Sequence, residues 1–208
     1  MIEDKMFKKP LLFFLIFLLS ISLFVNYQYY KVCQEKEKQF SIFLNDFYSE
    51  VDRSILLLDT LIQEEPADDR LNSALIGLTH HLKILDHMLS RTPHYMDGIN
   101  GGPNDIGVTA SIINSGTNYR GHNIPPFRNE GILSQNELAF LKAFEAYMKN
   151  IHDRLTEETD KFRSNRDINK YEFNKIISDT VMKDIYYPFF LNEYINCGSE
   201  WGNVQLSK

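Results

Sequence analysis

The most apolar stretch of the chain lies close to its beginning. Residues 11–25 read LLFFLIFLLSISLFV, in which only Ser20 and Ser22 are not apolar. At roughly −0.3 to −0.6 kcal/mol for each Leu, Ile, Phe or Val, transfer of such a stretch into a bilayer is favourable. Its flanks carry the cations and aromatic side chains that prefer the membrane surface, namely Lys8, Lys9, Tyr27, Tyr29 and Tyr30. This pattern predicts a transmembrane helix.

A cleaved secretory signal would begin with a similar stretch. Ser20 and Ser22 make a poor cleavage site, because cutting there leaves three apolar residues at the new end. We therefore favour a transmembrane signal-anchor at residues 10–30, with residues 1–9 as a short cytoplasmic tail and residues 31–208 as an extracytoplasmic domain. Lysines flank the span on both sides, so the positive-inside rule gives little bias and the short tail decides the predicted orientation.

Beyond the span, apolar residues recur at steps of three and four, which is the spacing of an amphipathic helix. Stripes of this width are typical of the core-facing seams of a helical bundle. The fold class predicted is all-α: an N-terminal transmembrane helix, then an up-down-up-down four-helix bundle. The four stripes are Phe40, Phe43, Phe47, Val51, Ile55, Leu58 and Ile62; Leu71, Leu75, Leu78, Leu82, Leu85 and Leu89; Leu138, Leu141, Phe144, Met148, Ile151 and Leu155; and Phe173, Ile177, Val181 and Ile185.

Local signals mark the ends of these helices. Pro66, followed by two aspartates, suits the start of the second helix. Ser134 and Glu137 have the spacing of a capping box, which predicts that the third helix begins there. Pro188 is expected to kink or end the fourth helix, since an internal proline removes a backbone hydrogen bond.

The segment 92–133, between the second and third helices, has a different composition. It holds seven of the ten glycines and four of the seven prolines. The prediction is a long Gly/Pro-rich loop, and loops of this length are usually functional or disordered. Within it, the residues from Ile106 to Ile113 fit a short strand or a helical turn, and the sequence leaves both open. The up-down-up-down order would place it at the membrane-proximal end of the bundle.

Polar side chains in this loop are the candidate site for a ligand or a protein partner, because loops carry function more often than cores do. A solvated crossover, held down by its apolar residues, is the alternative that the sequence leaves open. The candidate residues are Asn100, Asn104, Asp105, Asn118, Tyr119, Arg120, His122 and Arg128.

Two cysteines are present, Cys33 before the first amphipathic helix and Cys197 near the end of the fourth. The up-down-up-down order brings these two positions to the same end of the bundle. In an oxidising compartment a disulfide there would contribute roughly 4–5 kcal/mol by the loop-entropy model. Two unpaired thiols are the alternative.

No pattern predicts a metal site, a cofactor or a catalytic residue. His80, His81 and His87 share the second helix, yet no pair has the three- or four-residue spacing that chelation from one helix needs. The chain also lacks a Gly-x-Ser-x-Gly elbow and a phosphate-binding Gly-Lys-Ser/Thr loop. We therefore do not expect an enzyme.

Charge narrows the choice of partner. The chain has 208 residues and a net charge of −6. An acidic surface argues against nucleic acid, because binding phosphates requires clustered Lys and Arg. The function predicted is a protein-interaction module, anchored in the membrane, whose partner is another membrane or envelope protein. A small-ligand binding or sensing domain that works through a partner membrane protein is the alternative.

Overall fold

The computed structural model of the protein describes residues 8–94, 96–127, 131–156, 165, 167–182 and 186–197, with side chains from residue 12 onwards. The protein is mostly helical, with 78% of the described residues in helices. Its chain divides into two compact units, Met1–Ile42 and Phe43–Lys208. The elements are α1 (Lys8–Gln63), α2 (Asp68–Arg91), a 3₁₀ turn (Thr92–His94), α3 (Asp105–Ser115), β1 (Thr117–Tyr119), β2 (His122–Ile124), α4 (Gln135–Leu155), α5 (Lys170–Thr180) and α6 (Tyr186–Asn196).

The first unit contains the apolar beginning of α1. Large apolar side chains are exposed on every side of this segment, for example Phe13 at 71% and Phe24 at 63%. Its mean hydropathy reaches 1.8 and none of it is buried by the described residues. By length and composition, the segment is able to cross a membrane.

In the second unit, the remainder of α1 contributes a seam to the core. Phe47, Val51 and Leu58 are fully buried, as the spacing of the first stripe predicts. The ring of Phe173 on α5 meets Phe43 and Phe47 edge-on, with ring centroids 5.3 Å and 5.4 Å away. Aromatic pairs favour this arrangement, which adds to the stabilisation from burial alone.

The stripes on α2 and α4 are also confirmed. Every residue of these two stripes is buried, with no more than 3% of its surface exposed. The start of α4 is a capping box as predicted: Glu137 N donates to Ser134 Oγ at 3.3 Å, and Ser134 N donates to Glu137 Oε2 at 2.7 Å. Two backbone donors that the first turn leaves without acceptors are thereby satisfied.

The direction of α4 corrects the predicted order of the helices. Asp52 of α1 faces His152 at 3.7 Å, whereas Asp59, further along α1, faces Lys149 at 3.1 Å. Residue numbers increase along α1 while those of its partners on α4 decrease, so the two helices are antiparallel. An up-down-up-down bundle requires its first and third helices to be parallel, and that part of the prediction is therefore wrong.

The reason lies in segment 92–133, which is not the irregular loop that was predicted. It contains α3, which runs antiparallel to α2, with Gly107 beside Asp86 and Ile113 beside Thr79. This extra helix carries the chain back towards the α1–α2 turn. There Asp68 N donates to Gly131 O at 2.6 Å, and α4 starts a few residues later.

A β-hairpin follows α3. Strands β1 and β2 are antiparallel and Tyr119 pairs with His122, so Arg120 and Gly121 form a two-residue loop. Both loop residues have positive φ, at 50° and 82°. This is the signature of a type I′ turn, whose twist matches that of the flanking strands.

The fourth predicted helix is divided into α5 and α6. Pro188 neither kinks nor ends a helix, but lies in the first turn of α6, where a missing backbone N–H leaves no bond unmade. Phe190 is fully buried and packs against Phe140, Phe144 and Tyr147 of α4. Ile185 of the fourth stripe lies outside the described residues.

The capping box gives a first prediction. Ser134→Ala removes both side-chain contacts with Glu137, so we expect the free energy of unfolding to fall by about 1 kcal/mol. Denaturant unfolding of the full chain in detergent measures this loss. Ser73→Ala, an exposed position inside α2, is the matched control and should not destabilise. An equal effect of the two substitutions would contradict the capping role.

Candidate functional site

The seven candidate residues that the structure describes do not form one site in the second unit. Asn100 lies against α5, while Asn104 and Asp105 open α3. The hairpin carries the four others that are described, which are Asn118, Tyr119, Arg120 and His122. The hairpin follows the opposite end of α3, which is roughly 16 Å long at 1.5 Å per residue. Arg128 lies outside the described residues.

Asn100 and its neighbours are held by the start of α5. Asn100 N donates to Asn174 Oδ1 at 2.8 Å, and Asn174 Nδ2 donates to Gly98 O at 2.7 Å. Lys170 Nζ donates to Asp97 O at 2.7 Å. On the side of residues 97–100, all of these contacts are made by backbone groups. Backbone groups are common to all residues, so no sequence motif could have predicted the contacts.

Asn104 has a structural role at the N-terminus of α3. Its Oδ1 accepts a hydrogen bond from Gly107 N at 2.9 Å, and its Nδ2 donates to Asp86 Oδ1 at 2.8 Å. Asp86 lies over Gly107 so closely that a Cβ there would be 2.6 Å from Asp86 Cγ. The amide of Asn104 thus caps α3 and positions a carboxylate of α2 at the same time.

Asp105 is buried beside this cap, and the phenol of Tyr147 on α4 lies near it. Burial raises the pKa of Tyr147 well above its usual value, and the charges of Asp105 and Tyr186 act in the same direction. The phenol therefore stays neutral at physiological pH. Asp105 is only 2% exposed, so it does not offer a surface site.

An open groove of about 410 Å³ follows the outer surface of α3. We call it the α3 groove. Asp86 is its one ionisable lining residue among those described, and Val108 exposes 38% of its surface there. The rest of the lining is small or weakly polar. The α3 groove is lined by Asp86, Pro103, Asn104, Gly107, Val108, Ser111, Ile112, Gly116 and Thr117.

The hairpin presents a separate polar surface. Arg120 places its guanidinium carbon 5.1 Å from the centre of the Tyr119 ring, a cation–π arrangement. Its Nη1 lies 3.5 Å from Asn192 Oδ1 on α6, a long contact. Asn118 and His122 are exposed. These side chains are available to a partner, but α3 separates them from the cap at Asn104.

Both cysteines are free thiols in the structure. Cys197 Sγ donates to Gln135 O at 3.2 Å, so it lies where α4 begins, at the α1–α2 turn end of the second unit. The predicted Cys33–Cys197 disulfide depended on the up-down-up-down order, which is wrong. The disulfide stays a prediction, now without that geometric support.

Groups of three or more His, Cys, Asp or Glu that are able to hold a metal ion are absent from the described residues. His81 is instead half of a cross-helix pair: its Nδ1 lies 2.6 Å from Glu50 Oε2 on α1. Arg53 Nη1 also donates to Glu50, at 2.8 Å. Sequence reasoning missed this pair, because the two residues are far apart in the chain and neither belongs to a motif.

A second missed cluster joins α1 to α4. Lys149 Nζ lies 3.1 Å from Asp59 and 3.0 Å from Glu145. A hydrogen bond with Glu145 lowers the pKa of Asp59, while burial and then the bond with Asp59 raise the pKa of Glu145. A bond with Glu145 raises the pKa of Lys149. Burial therefore disfavours the charged form of Glu145, despite the nearby cation of Lys149.

This cluster gives a second prediction. Because the folded pKa of Glu145 is raised from 4.5, the stability that Glu145 contributes is full below that pH and is lost as the pH rises through the folded value. Glu145→Gln avoids this loss. We expect the variant to be more stable than the unsubstituted protein at pH 7, by about 0.5 kcal/mol, and no more stable near pH 3.

Denaturant unfolding at both pH values measures the difference. Glu64→Gln removes the same charge from an exposed pair with Arg70 and is the control. Destabilisation of Glu145→Gln at pH 7 would show that the contact of Glu145 with Lys149 outweighs the cost of burying its charge.

The chain matches no protein-family model, no curated protein and no solved structure.

Proposed function

We propose that this protein is a single-pass membrane protein whose helical domain lies outside the cytoplasm and binds another membrane or envelope protein. The observation that carries the proposal is the apolar segment of α1, on which large side chains are exposed in all directions. The proposal assigns no catalytic activity and no cofactor to the chain.

The apolar side chains of this segment of α1 are exposed around the whole helix, and this distinguishes it from a helix that packs on a soluble core. A helix that packs on a soluble core has one apolar stripe and a polar face. Residues 12–19 are instead apolar without interruption, and each exposes at least 45% of its surface. Exposed apolar surface of this extent is unfavourable in water, and hydrocarbon is the solvent that accepts it.

A secretion signal meets the same criteria of length and composition. We favour retention of the segment, since the only small residues in it are Ser20 and Ser22, and cleavage there leaves an apolar end. The aromatic residues Tyr27, Tyr29 and Tyr30 then occupy the depth of the lipid headgroups.

The α3 groove is the surface that we propose for the partner. Its floor is α3, where Gly107 and Ser111 have small side chains and Val108 adds exposed apolar area. A protein segment docks on such a surface by shape and apolar contact, with Asp86 to receive a cation or a donor. The groove is also as large as many ligand pockets, so a small ligand is the second candidate occupant.

Membrane retention is the third prediction. The double substitution Phe14→Arg and Leu18→Arg adds an insertion cost of several kcal/mol, about 2.5–3.5 for each arginine, and should move the protein from the carbonate-resistant membrane fraction to the soluble one. Tyr29→Arg, outside the apolar stretch, should remain in the membrane fraction. A protein that is soluble without substitution, and shortened at its N-terminus, would show a cleaved signal instead.

Cells that produce the unsubstituted protein can also show on which side of the membrane the second unit lies. Protease added to intact cells should digest the second unit if it lies outside the cytoplasm. Digestion only after permeabilisation would reverse the proposed orientation while leaving the anchor in place.

Partner binding gives the fourth prediction. Ser111→Trp fills the α3 groove, whereas Ser73→Trp places the same bulk on an exposed position of α2 outside it. After chemical crosslinking in membranes, we expect the adducts of the unsubstituted protein to disappear only with Ser111→Trp. Adducts that persist with both variants exclude the groove as the partner surface.

Point substitutions are needed because segment 92–133 cannot be deleted without disrupting the fold. Ile106, Ile113 and Phe127 are each at most 1% exposed, so deleting residues 92–133 would open the core. A loss of adducts after such a deletion would report unfolding rather than recognition.

A further inference from the structure

Two hydroxyl groups in the core lack a hydrogen-bond partner among the described residues. They are Thr109 Oγ1 on α3 and Tyr147 OH on α4. Thr109 is completely buried and Tyr147 is 6% exposed. A buried hydroxyl without a partner is costly, and folded proteins rarely retain one. Two of them in one region require an explanation.

Asp105 relates the two hydroxyls to each other. Asp105 and Thr109 are four residues apart on α3, so their side chains lie on the same face of that helix. The backbone N–H of Asp105 donates to Val181 O at 3.3 Å, at the end of α5. The start of α6 meets α4 nearby, where the rings of Tyr186 and Tyr147 lie 4.9 Å apart.

The electrostatics agree with this placement. The charge of Asp105 acts on the phenol of Tyr147, which requires the two groups to be near each other in a region of low dielectric. The first turn of α3, the end of α5 and the middle of α4 thus surround a polar region inside an otherwise apolar core.

We propose that Thr109, Tyr147 and Asp105 form an internal binding site for one water molecule. Water suits the chemistry because it donates and accepts: it accepts from the phenol, bonds with the threonine hydroxyl and donates to the carboxylate. Buried waters typically make about three hydrogen bonds to polar groups of this kind. The site is independent of the function proposed above.

The consequence concerns how α3 is fixed in the fold. Apart from its apolar face, α3 has polar contacts through Asn104 with α2 and through Asp105 with the end of α5. A shared water adds a link between α3 and α4. Such a link ties α3 to α4, in addition to the packing of α3 on α2 and α6.

Isosteric substitutions test the site in the full chain in detergent. Thr109→Val and Tyr147→Phe each remove one hydroxyl with little change of shape. If a water bridges them, each should lower the equilibrium ratio of folded to unfolded protein by about 3- to 10-fold. The double variant should lose no more than the larger single loss, since both substitutions break the same bridge. Thr79→Val, whose hydroxyl donates to Leu75 O within its own helix, is the control for the loss of a threonine hydroxyl.

The alternative outcomes are distinct. Hydroxyls that are truly without a partner are a burden, so each single substitution would then stabilise the protein. Independent contacts would give losses that add in the double variant. Either result overturns the shared water. A direct measurement is the NMR cross-peak between a long-lived water and the Thr109 methyl group, which should be present in the unsubstituted protein and absent in Tyr147→Phe.

Discussion

One helix, α1, carries two kinds of surface, and this constrains how the chain folds around it. Residues 12–19 of α1 expose apolar side chains around the whole helix, whereas from Phe43 onwards most apolar residues of α1 lie on one seam that is buried by protein. One continuous helix is able to carry both kinds of surface, because an α-helix makes its backbone hydrogen bonds within itself, in lipid as well as in water. The change from an all-round apolar surface to a single stripe is encoded in the residue pattern alone.

Much of the helical core was predictable because it depends on local periodicity. The seams of α2 and α4 are buried residue by residue, and the Ser134–Glu137 box begins α4 as its spacing indicates. The order of the helices was not predictable in the same way. It depended on reading segment 92–133 as irregular, since glycine and proline are enriched there. Signals for α3 were present in the Asn104 cap and the apolar residues Ile106, Ala110 and Ile113, but these apolar residues fitted a short strand as well as a helical turn.

Several candidate residues have structural contacts that the sequence did not predict, for a physical reason. Polar side chains acquire their roles from contacts over long distances in sequence, which no local pattern reports. Asn104 appeared to be a loop residue open to solvent, yet it caps α3 and holds Asp86. Asp105 is buried, and Asn100 is held through its backbone. The pairs that join α1 to its neighbours, such as Glu50 with His81, belong to no motif at all.

These structural roles change where recognition is to be sought. A side chain that already caps a helix is poorly suited to bind a partner, because binding would have to break a contact that the fold needs. Of the predicted residues, Asn118, Arg120 and His122 remain exposed on the hairpin, and Asn104 is among the residues that line the α3 groove. The groove itself is lined mainly by small residues, some apolar and some weakly polar. Recognition there would therefore depend on shape, while polar side chains such as that of Asn104 have contacts that fold segment 92–133.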